Sequence, residues 1–204
     1  MNAPVPADAV PTRRRRHAPL IALPVGVVML LLVILLATRD PATDRLAKSP
    51  LVGKQAPPIE GVTLANEPFT LDRVRGEWVV VNFFGSWCTP CIQEHPELVS
   101  FQNDHRGARD ATVVSVAFAD SPTAARQFFE KRGGDWPVLV QDTDSIAVGY
   151  GVIKVPETFV VAPSGLVVAK LIGAITADRL NALIAKYSAP APTAPANAPA
   201  ATTR

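Results

Sequence analysis

The stretch that decides the fold is Trp78–Cys91, which reads WVVVNFFGSWCTPC. Its first seven residues form an apolar run interrupted only by Asn82, the pattern of a central strand that is buried on both faces. The pair Cys88-Thr89-Pro90-Cys91 follows at once and opens a predicted helix over 90–105, with Pro90 in the first turn, where no amide donor is needed. A strand that delivers a Cys-x-x-Cys pair to a helix N-terminus predicts a redox-active dithiol.

The two cysteines are expected to have different roles. The N-terminus of a helix has unpaired amides and a partial positive charge, which stabilise a thiolate more than a thiol. We therefore expect Cys88 to be the attacking sulfur, while Cys91, one turn deeper, resolves the mixed disulfide. Half of a zinc site is the alternative, but only His95 and His105 lie nearby, a poor ligand set, so we expect no metal.

The composition of the chain excludes several other classes of protein. The chain has 204 residues and two cysteines, which excludes a disulfide-rich scaffold and any site of four thiolates. Its net charge of +2 is unevenly distributed, because residues 1–49 contain seven Lys/Arg against three Asp/Glu and residues 50–187 contain twelve against fifteen. The slightly acidic main region gives no electrostatic support for a nucleic-acid partner.

The regions at the two ends of the chain differ in composition from the central region. Four arginines at 13–16 precede an uncharged run at 18–38, which is long enough to cross about 30 Å of hydrocarbon as a helix. We expect an uncleaved signal anchor with residues 1–17 in the cytoplasm; a cleaved signal peptide and a buried core helix are the alternatives. Residues 39–50 are expected to be a linker, and the Ala/Pro-rich tail at 188–204 to be disordered.

Residues 51–187 are then the one globular domain. A hairpin is predicted from Pro58–Leu64 and Pro68–Leu71, a second buried strand over Thr112–Ala119, and a helix over Pro122–Arg132 capped by Ser121 or Asp120. The same patterns predict further elements, namely a strand at Val138–Gln141, helical turns at Thr143–Tyr150, a hairpin of Thr158–Val161 with Leu166–Ile172, and a closing helix at Thr176–Tyr187. Alternation of strands and helices followed by a hairpin indicates an α/β fold around a mixed sheet.

Three motifs carry a resemblance to a known family: FFGSWCTPC at 83–91, VPETF at 155–159 and VGKQAP at 52–57. Together they resemble the membrane-tethered thioredoxin-like proteins of cytochrome c maturation, the CcmG/DsbE/ResA group within the TlpA-like family. The resemblance covers essentially all of residues 51–187. It implies a thioredoxin fold with an N-terminal β-hairpin and a central βα insert at about Asp120–Lys154, preceded by one transmembrane helix.

The resemblance also implies roles for particular residues. Val155-Pro156 matches the cis-proline of the family, and the backbone before it would pair with an extended substrate. Glu94 matches an acidic residue tied to proton handling at Cys91, although a solvated helix residue is the alternative. Trp87, Thr89 and Pro90 complete the expected substrate-binding surface, with Trp87 sheltering the sulfur.

Five other positions carry expectations of their own. Many thioredoxins have a buried Asp where this chain has Asn82, which cannot relay protons, so any such task falls to Glu94 or to Glu157. Glu157 is equally consistent with a surface carboxylate. His95 is expected to be exposed. Trp78 and Trp136 are expected in the core.

Several functions remain open at this stage. The leading interpretation is a bacterial, membrane-anchored, extracytoplasmic reductase that takes electrons from a membrane thiol carrier and passes them to exported proteins such as apocytochrome c with Cys-x-x-Cys-His motifs. It would need no cofactor beyond its own disulfide. The alternatives are a dithiol oxidase of exported proteins and a non-catalytic binding module. A peroxidase is disfavoured, because Gly85 occupies the place three before Cys88 where a threonine is required.

Overall fold

The structure is a computed structural model that describes residues 25–32, 34 and 45–189. Contacts divide the chain into two units, Met1–Pro41 and Ala42–Arg204. In the first unit, residues 25–32 and 34 are helical. Within the described ranges, no helix is both long and apolar enough to cross a membrane. The remainder of the predicted span at 18–38, with residues 1–17 and most of the tail, lies outside the described residues.

The larger unit is built on a six-stranded sheet, whose strands lie side by side in the order β1 (Arg45–Leu46), β8 (Val167–Ile172), β7 (Glu157–Val161), β4 (Trp78–Phe84), β5 (Ala111–Ala117) and β6 (Val138–Leu139). Strand β4 pairs in parallel with β5 and antiparallel with β7, which confirms the predicted mixed sheet. All seven residues of β4 are buried, as the apolar run predicts.

A separate hairpin lies between β1 and β4 in the chain, as predicted. Strands β2 (Glu60–Val62) and β3 (Pro68–Thr70) pair antiparallel, and a short 3-10 helix at Leu71–Val74, which the sequence did not indicate, follows them. The hairpin attaches to β6, since the Leu64 amide donates to the Val138 carbonyl at 2.8 Å.

Four helices cover the sheet, and three of them begin at a side-chain cap or a proline. The helices are α1 (Thr89–Arg106), α2 (Pro122–Arg132), α3 (Thr143–Tyr150) and α4 (Ala177–Ser188). Helix α1 runs through Pro96 as one element. At the start of α2 the cap is Ser121, whose hydroxyl accepts from the Ala124 amide at 3.1 Å, so the alternative cap, Asp120, is free for another role.

Side chains of β4 alternate between two cores, as the two-residue period of a strand requires. On one face, Trp78, Val80 and Phe84 join a cluster built with α1, α2 and α4, and this cluster includes Cys88 and Cys91. On the other face, Val79, Val81 and Phe83 pack with residues of α3 and the hairpin. Trp78 and Trp136 are buried, which confirms both core assignments.

The segment between β5 and β7 is the predicted insert, made of α2, β6 and α3. Helix α3 stops at Gly151, whose φ of 62° is in the left-handed region that glycine adopts freely. The chain then passes to Val155-Pro156, where the peptide bond is cis, as predicted.

Candidate active site

The two cysteines are joined by a disulfide at the N-terminus of α1. Cys88 caps the helix, and its Sγ accepts from the Cys91 amide at 3.2 Å. Both residues are nearly buried, with exposed fractions of 4% for Cys88 and 2% for Cys91. The amide aimed at Cys88 Sγ is the kind of donor that stabilises a thiolate there, which is the chemical basis of the role expected for this sulfur.

Glu94 lies one helical turn beyond Cys91 and is buried, with an exposed fraction of 1%, so the solvated alternative is wrong. Its Oε1 accepts from the Asn82 side-chain amide at 2.8 Å and its Oε2 accepts from the Ile175 backbone amide at 3.2 Å. Burial raises the pKa of this carboxyl to about 8, although both hydrogen bonds act in the opposite direction. A carboxyl with a pKa close to neutral can both take and return a proton.

Asn82 joins Glu94 to the strand that follows the cis-proline. Its Nδ2 donates to Glu94 Oε1 and also to Thr158 Oγ1, at 3.1 Å. The side chain cannot relay a proton, but one N–H group holds the Glu94 carboxyl while the other ties the amide to Thr158. Asn82, which stands where many thioredoxins have a buried Asp, therefore positions the Glu94 carboxyl.

Trp87 stands directly before the disulfide and has an exposed fraction of 60%. Its Nε1 donates to the Ala119 carbonyl at 3.1 Å. A Cβ at Gly85 would lie 2.7 Å from the Trp87 ring, so any larger residue there would displace the ring. The threonine of a peroxidase motif could not occupy this position without moving Trp87. Thr89 and Pro90, on the other side of Cys88, are also exposed.

Ser86 and Asp120 form a contact that sequence reasoning missed. Asp120 Oδ2 accepts from the Ser86 amide at 2.6 Å, and Oδ1 accepts from the Ser86 hydroxyl at 3.0 Å. The only sequence signal was the ambiguity over the cap of α2, which left either Asp120 or Ser121 without a capping role.

Val155 is half-buried and packs against both cores, and Pro156 is buried. The Pro156 carbonyl accepts from the Gly173 amide at 3.0 Å. Neighbouring Ile153 is exposed, which leaves an accessible apolar side chain on the loop that leads to the cis-proline. The predicted substrate-binding residues thus divide between the start of α1 and this loop.

Glu157 follows the cis-proline and is buried, so it is not a surface carboxylate. Its Oε2 lies 2.7 Å from Lys170 Nζ, and Lys170 is itself buried. Neither Glu157 oxygen meets the geometry of a hydrogen bond among the described residues, so charge carries this pairing. Lys170 Nζ also donates to the Gly151 carbonyl at 3.4 Å and lies 5.0 Å from the centroid of the Phe159 ring.

His95 is buried, with an exposed fraction of 3%, so the prediction that it is exposed is wrong. It lies four residues after Cys91 and therefore on the inward face of α1. Its ring packs against Phe128, Phe129 and Trp136, and Nε2 contacts the Gly133 carbonyl at 2.9 Å. Burial lowers the pKa of His95, so this residue is a neutral component of the core under α1.

The known proteins that this chain resembles include thiol:disulfide interchange proteins, as a redox-active cysteine pair predicts. Residues 52–170 match the AhpC/TSA family. The thiol:disulfide interchange protein HelX of Rhodobacter capsulatus is 35% identical over 131 residues, which cover 63% of this chain and 72% of HelX. The thiol:disulfide interchange protein DsbE of Allochromatium vinosum is 32% identical over 174 residues, covering 81% of this chain and 92% of DsbE.

Among solved structures, a thiol:disulfide interchange protein of the thioredoxin family from Chlorobium tepidum superposes with a TM-score of 0.59. It is 26% identical, and the match covers 69% of this chain and 98% of the other.

Proposed function

The chain belongs to the AhpC/TSA family and, within it, to the thiol:disulfide oxidoreductases of the CcmG/DsbE/ResA group, and from this premise we propose that it reduces disulfides of exported proteins. The observation that carries the proposal is a Cys88–Cys91 disulfide at a helix N-terminus with a buried carboxyl, Glu94, one turn away. The proposed substrates are Cys-x-x-Cys-His disulfides such as those of apocytochrome c.

The reaction starts from the dithiol form. The Cys88 thiolate attacks one sulfur of the substrate disulfide, so that a bond from Cys88 Sγ to the substrate forms, the substrate S–S bond breaks, and the departing thiolate takes a proton. Cys91 then loses its proton and attacks Cys88 Sγ, which releases the second substrate thiolate. Two electrons have passed to the substrate, and the protein is left with the disulfide that the structure shows.

Glu94 is proposed to take the proton from Cys91. The carboxyl and Cys91 lie three residues apart on α1, a separation that places side chains on the same face of a helix. A pKa of about 8 makes the ionised carboxyl a strong enough base to be useful near neutral pH. Asn82 and the Ile175 amide hold the carboxyl while it changes charge.

Substrate is proposed to bind across Trp87, Thr89, Pro90 and the Val155-Pro156 loop. An extended segment would add to the backbone at Val155 as a further strand. This places the substrate disulfide over Cys88, between the exposed Trp87 ring and the accessible loop.

We further propose that residues 18–38 anchor the domain at the outer side of a bacterial cytoplasmic membrane, with residues 1–17 inside. The support is the uncharged run after four arginines. A membrane thiol carrier would return the disulfide to the dithiol, because each turnover consumes one pair of electrons. The protein's own disulfide is the only redox group that this cycle requires.

The test is a reaction of the reduced full chain with a synthetic peptide that carries an oxidised Cys-x-x-Cys-His motif. We expect the native chain to reduce the peptide, Cys88→Ser to be inactive, and Cys91→Ser to accumulate a mixed disulfide detectable by mass spectrometry. A non-catalytic binding module would keep its function in both variants, and oxidation of the reduced peptide in preference to reduction would indicate a dithiol oxidase.

A further inference from the structure

Two loops meet beside the disulfide: Gly85–Trp87, which precedes α1, and Ala119–Ser121, which follows β5. We name them the redox loop and the acidic turn. Three hydrogen bonds connect them, two from Ser86 to the Asp120 carboxylate and one from the Trp87 indole to the Ala119 carbonyl. The contacts are formed by residues 34 and 32 positions apart in the sequence, so they belong to the tertiary structure and not to a local turn.

We propose that Asp120 is a positioning residue for thiol–disulfide exchange, which fixes the redox loop so that Trp87 forms a rigid wall for protein substrates beside Cys88. The proposal rests on the function proposed above. It assigns to Asp120 no direct part in the chemistry of the sulfur atoms.

The first argument is that Asp120 has no competing structural task in α2. The N-cap of that helix is Ser121, whose hydroxyl accepts from the Ala124 amide. The Asp120 carboxylate instead accepts from the Ser121 amide at 2.8 Å and twice from Ser86. Hydrogen bonds to an ionised acceptor are stronger than neutral ones, so these contacts hold the redox loop more firmly than a neutral side chain would.

The second argument concerns the conformation of the acidic turn. Ala119 has a φ of 47°, which a non-glycine residue adopts only when its surroundings hold it there. Asp120, the next residue, supplies hydrogen bonds that hold it. The Ala119 carbonyl is the acceptor for the Trp87 indole, so loosening Asp120 removes the acceptor position as well as the Ser86 contacts.

The third argument is the exposure of the ring that these contacts fix. Trp87 is the exposed tryptophan of the three, since Trp78 and Trp136 are buried. An exposed aromatic side chain normally samples several rotamers. Here the edge of the ring that carries Nε1 lies against Gly85, where a Cβ would be 2.7 Å away, and Nε1 also donates to the Ala119 carbonyl. A fixed aromatic surface next to a reactive sulfur orients a bound peptide at little cost in conformational entropy.

The test follows single turnovers of the pre-reduced full chain in mild detergent with two oxidised probes: the Cys-x-x-Cys-His peptide and the small disulfide 5,5′-dithiobis(2-nitrobenzoate). For Asp120→Ala we expect the half-saturating peptide concentration, the single-turnover KM, to rise on the order of tenfold, with the maximal rate, the single-turnover kcat, and the rate on the small disulfide changed less than about twofold. Asp120→Asn and Ser86→Ala each keep part of the contact and should give intermediate increases. Glu130→Ala, which removes an exposed carboxylate from α2, is the matched control and should change neither probe.

A second readout reports on Trp87 itself. Time-resolved fluorescence anisotropy should gain a fast component in Asp120→Ala, because the one exposed tryptophan becomes free to rotate. Equal losses on both probes, or an unchanged KM for the peptide, would overturn the proposal. If Asp120→Ala does not fold, Asp120→Asn and Ser86→Ala carry the same comparison. If the native chain reduces only the small disulfide, the proposed substrate class fails, and the anisotropy result alone decides whether Asp120 positions Trp87.

Discussion

Glu94 is a carboxylic acid in the interior of the protein, between Asn82 and the Ile175 amide. Its pKa in the folded state, about 8, lies above the ordinary value of 4.5, and burial is the main cause. The folded protein therefore retains a proton that the unfolded chain releases. The associated stability is fully present below about pH 4.5 and is lost as the pH rises through about 8.

Replacing Glu94 by Gln should remove this pH dependence, because glutamine resembles the protonated acid and does not ionise. We expect the loss of unfolding free energy between pH about 4.5 and about 8, on the order of a few kcal/mol, to shrink in Glu94→Gln. The same variant should slow release of the mixed disulfide near neutral pH. Urea unfolding across this range and stopped-flow kinetics measure the two effects.

The matched control is Glu97→Gln, three residues further along α1. Its Oε2 accepts from the Ala177 amide, a contact that glutamine can keep. An identical pH dependence of stability in the native chain and in Glu94→Gln would show that Glu94 does not titrate as described.

Sequence patterns identified some of these residues and missed others, for a physical reason. The position of Cys88 and Cys91 at the start of a helix depends on neighbours in the chain, so the apolar run before them and their spacing were sufficient to predict it. Burial of Glu94 and His95 depends on which face of α1 packs inward, and the sequence of that helix has little apolar periodicity to show it. The contact between Ser86 and Asp120 joins two separate loops and cannot be read from either one.

Most elements were predictable because their signals are local. Strands β4 and β5 are mostly apolar runs, α2 has its Ser121-Pro122 start, and α3 ends before Gly151. The short 3-10 helix after β3 was missed, since four residues carry no periodic pattern. The pairing of β1 with β8 was also missed, because a two-residue edge strand is defined by its partner.

Strands β7 and β8 are joined by a buried ion pair as well as by their ladder. Lys170 on β8 contacts Glu157 at the start of β7 and the carbonyl of Gly151. These two contacts lie on either side of the loop that carries Val155-Pro156. The ammonium group therefore ties both ends of the proposed substrate loop to the sheet.

Removing one partner of this pair should destabilise the protein strongly. Lys170→Met leaves the Glu157 carboxylate buried without its counter-charge, and we expect a loss of about 3 to 5 kcal/mol in unfolding free energy. The double variant Glu157→Gln with Lys170→Met should recover much of that loss, because no unpaired charge remains. Urea denaturation of the two single variants and the double variant gives the coupling energy; additive losses would contradict an energetically coupled pair.

At the scale of the whole molecule, the fold places one reactive pair at the end of the central strand and leaves no other cysteine in the chain. The domain can therefore cycle between dithiol and disulfide without mispairing within itself. The mildly acidic domain and the basic N-terminal region are separate parts of the sequence, which agrees with the proposed division between a redox domain and a membrane anchor. The direction of electron flow is the property that the fold alone does not set, because reductases and oxidases share it.

The reduction potential of the Cys88–Cys91 pair tests the central claim most directly. The full chain is equilibrated in dithiothreitol and glutathione buffers, and the dithiol fraction is measured by alkylation and mass spectrometry. The proposed reductase should have a potential near that of thioredoxin, about −270 mV, whereas a value near about −120 mV, that of a strong dithiol oxidant, would contradict it.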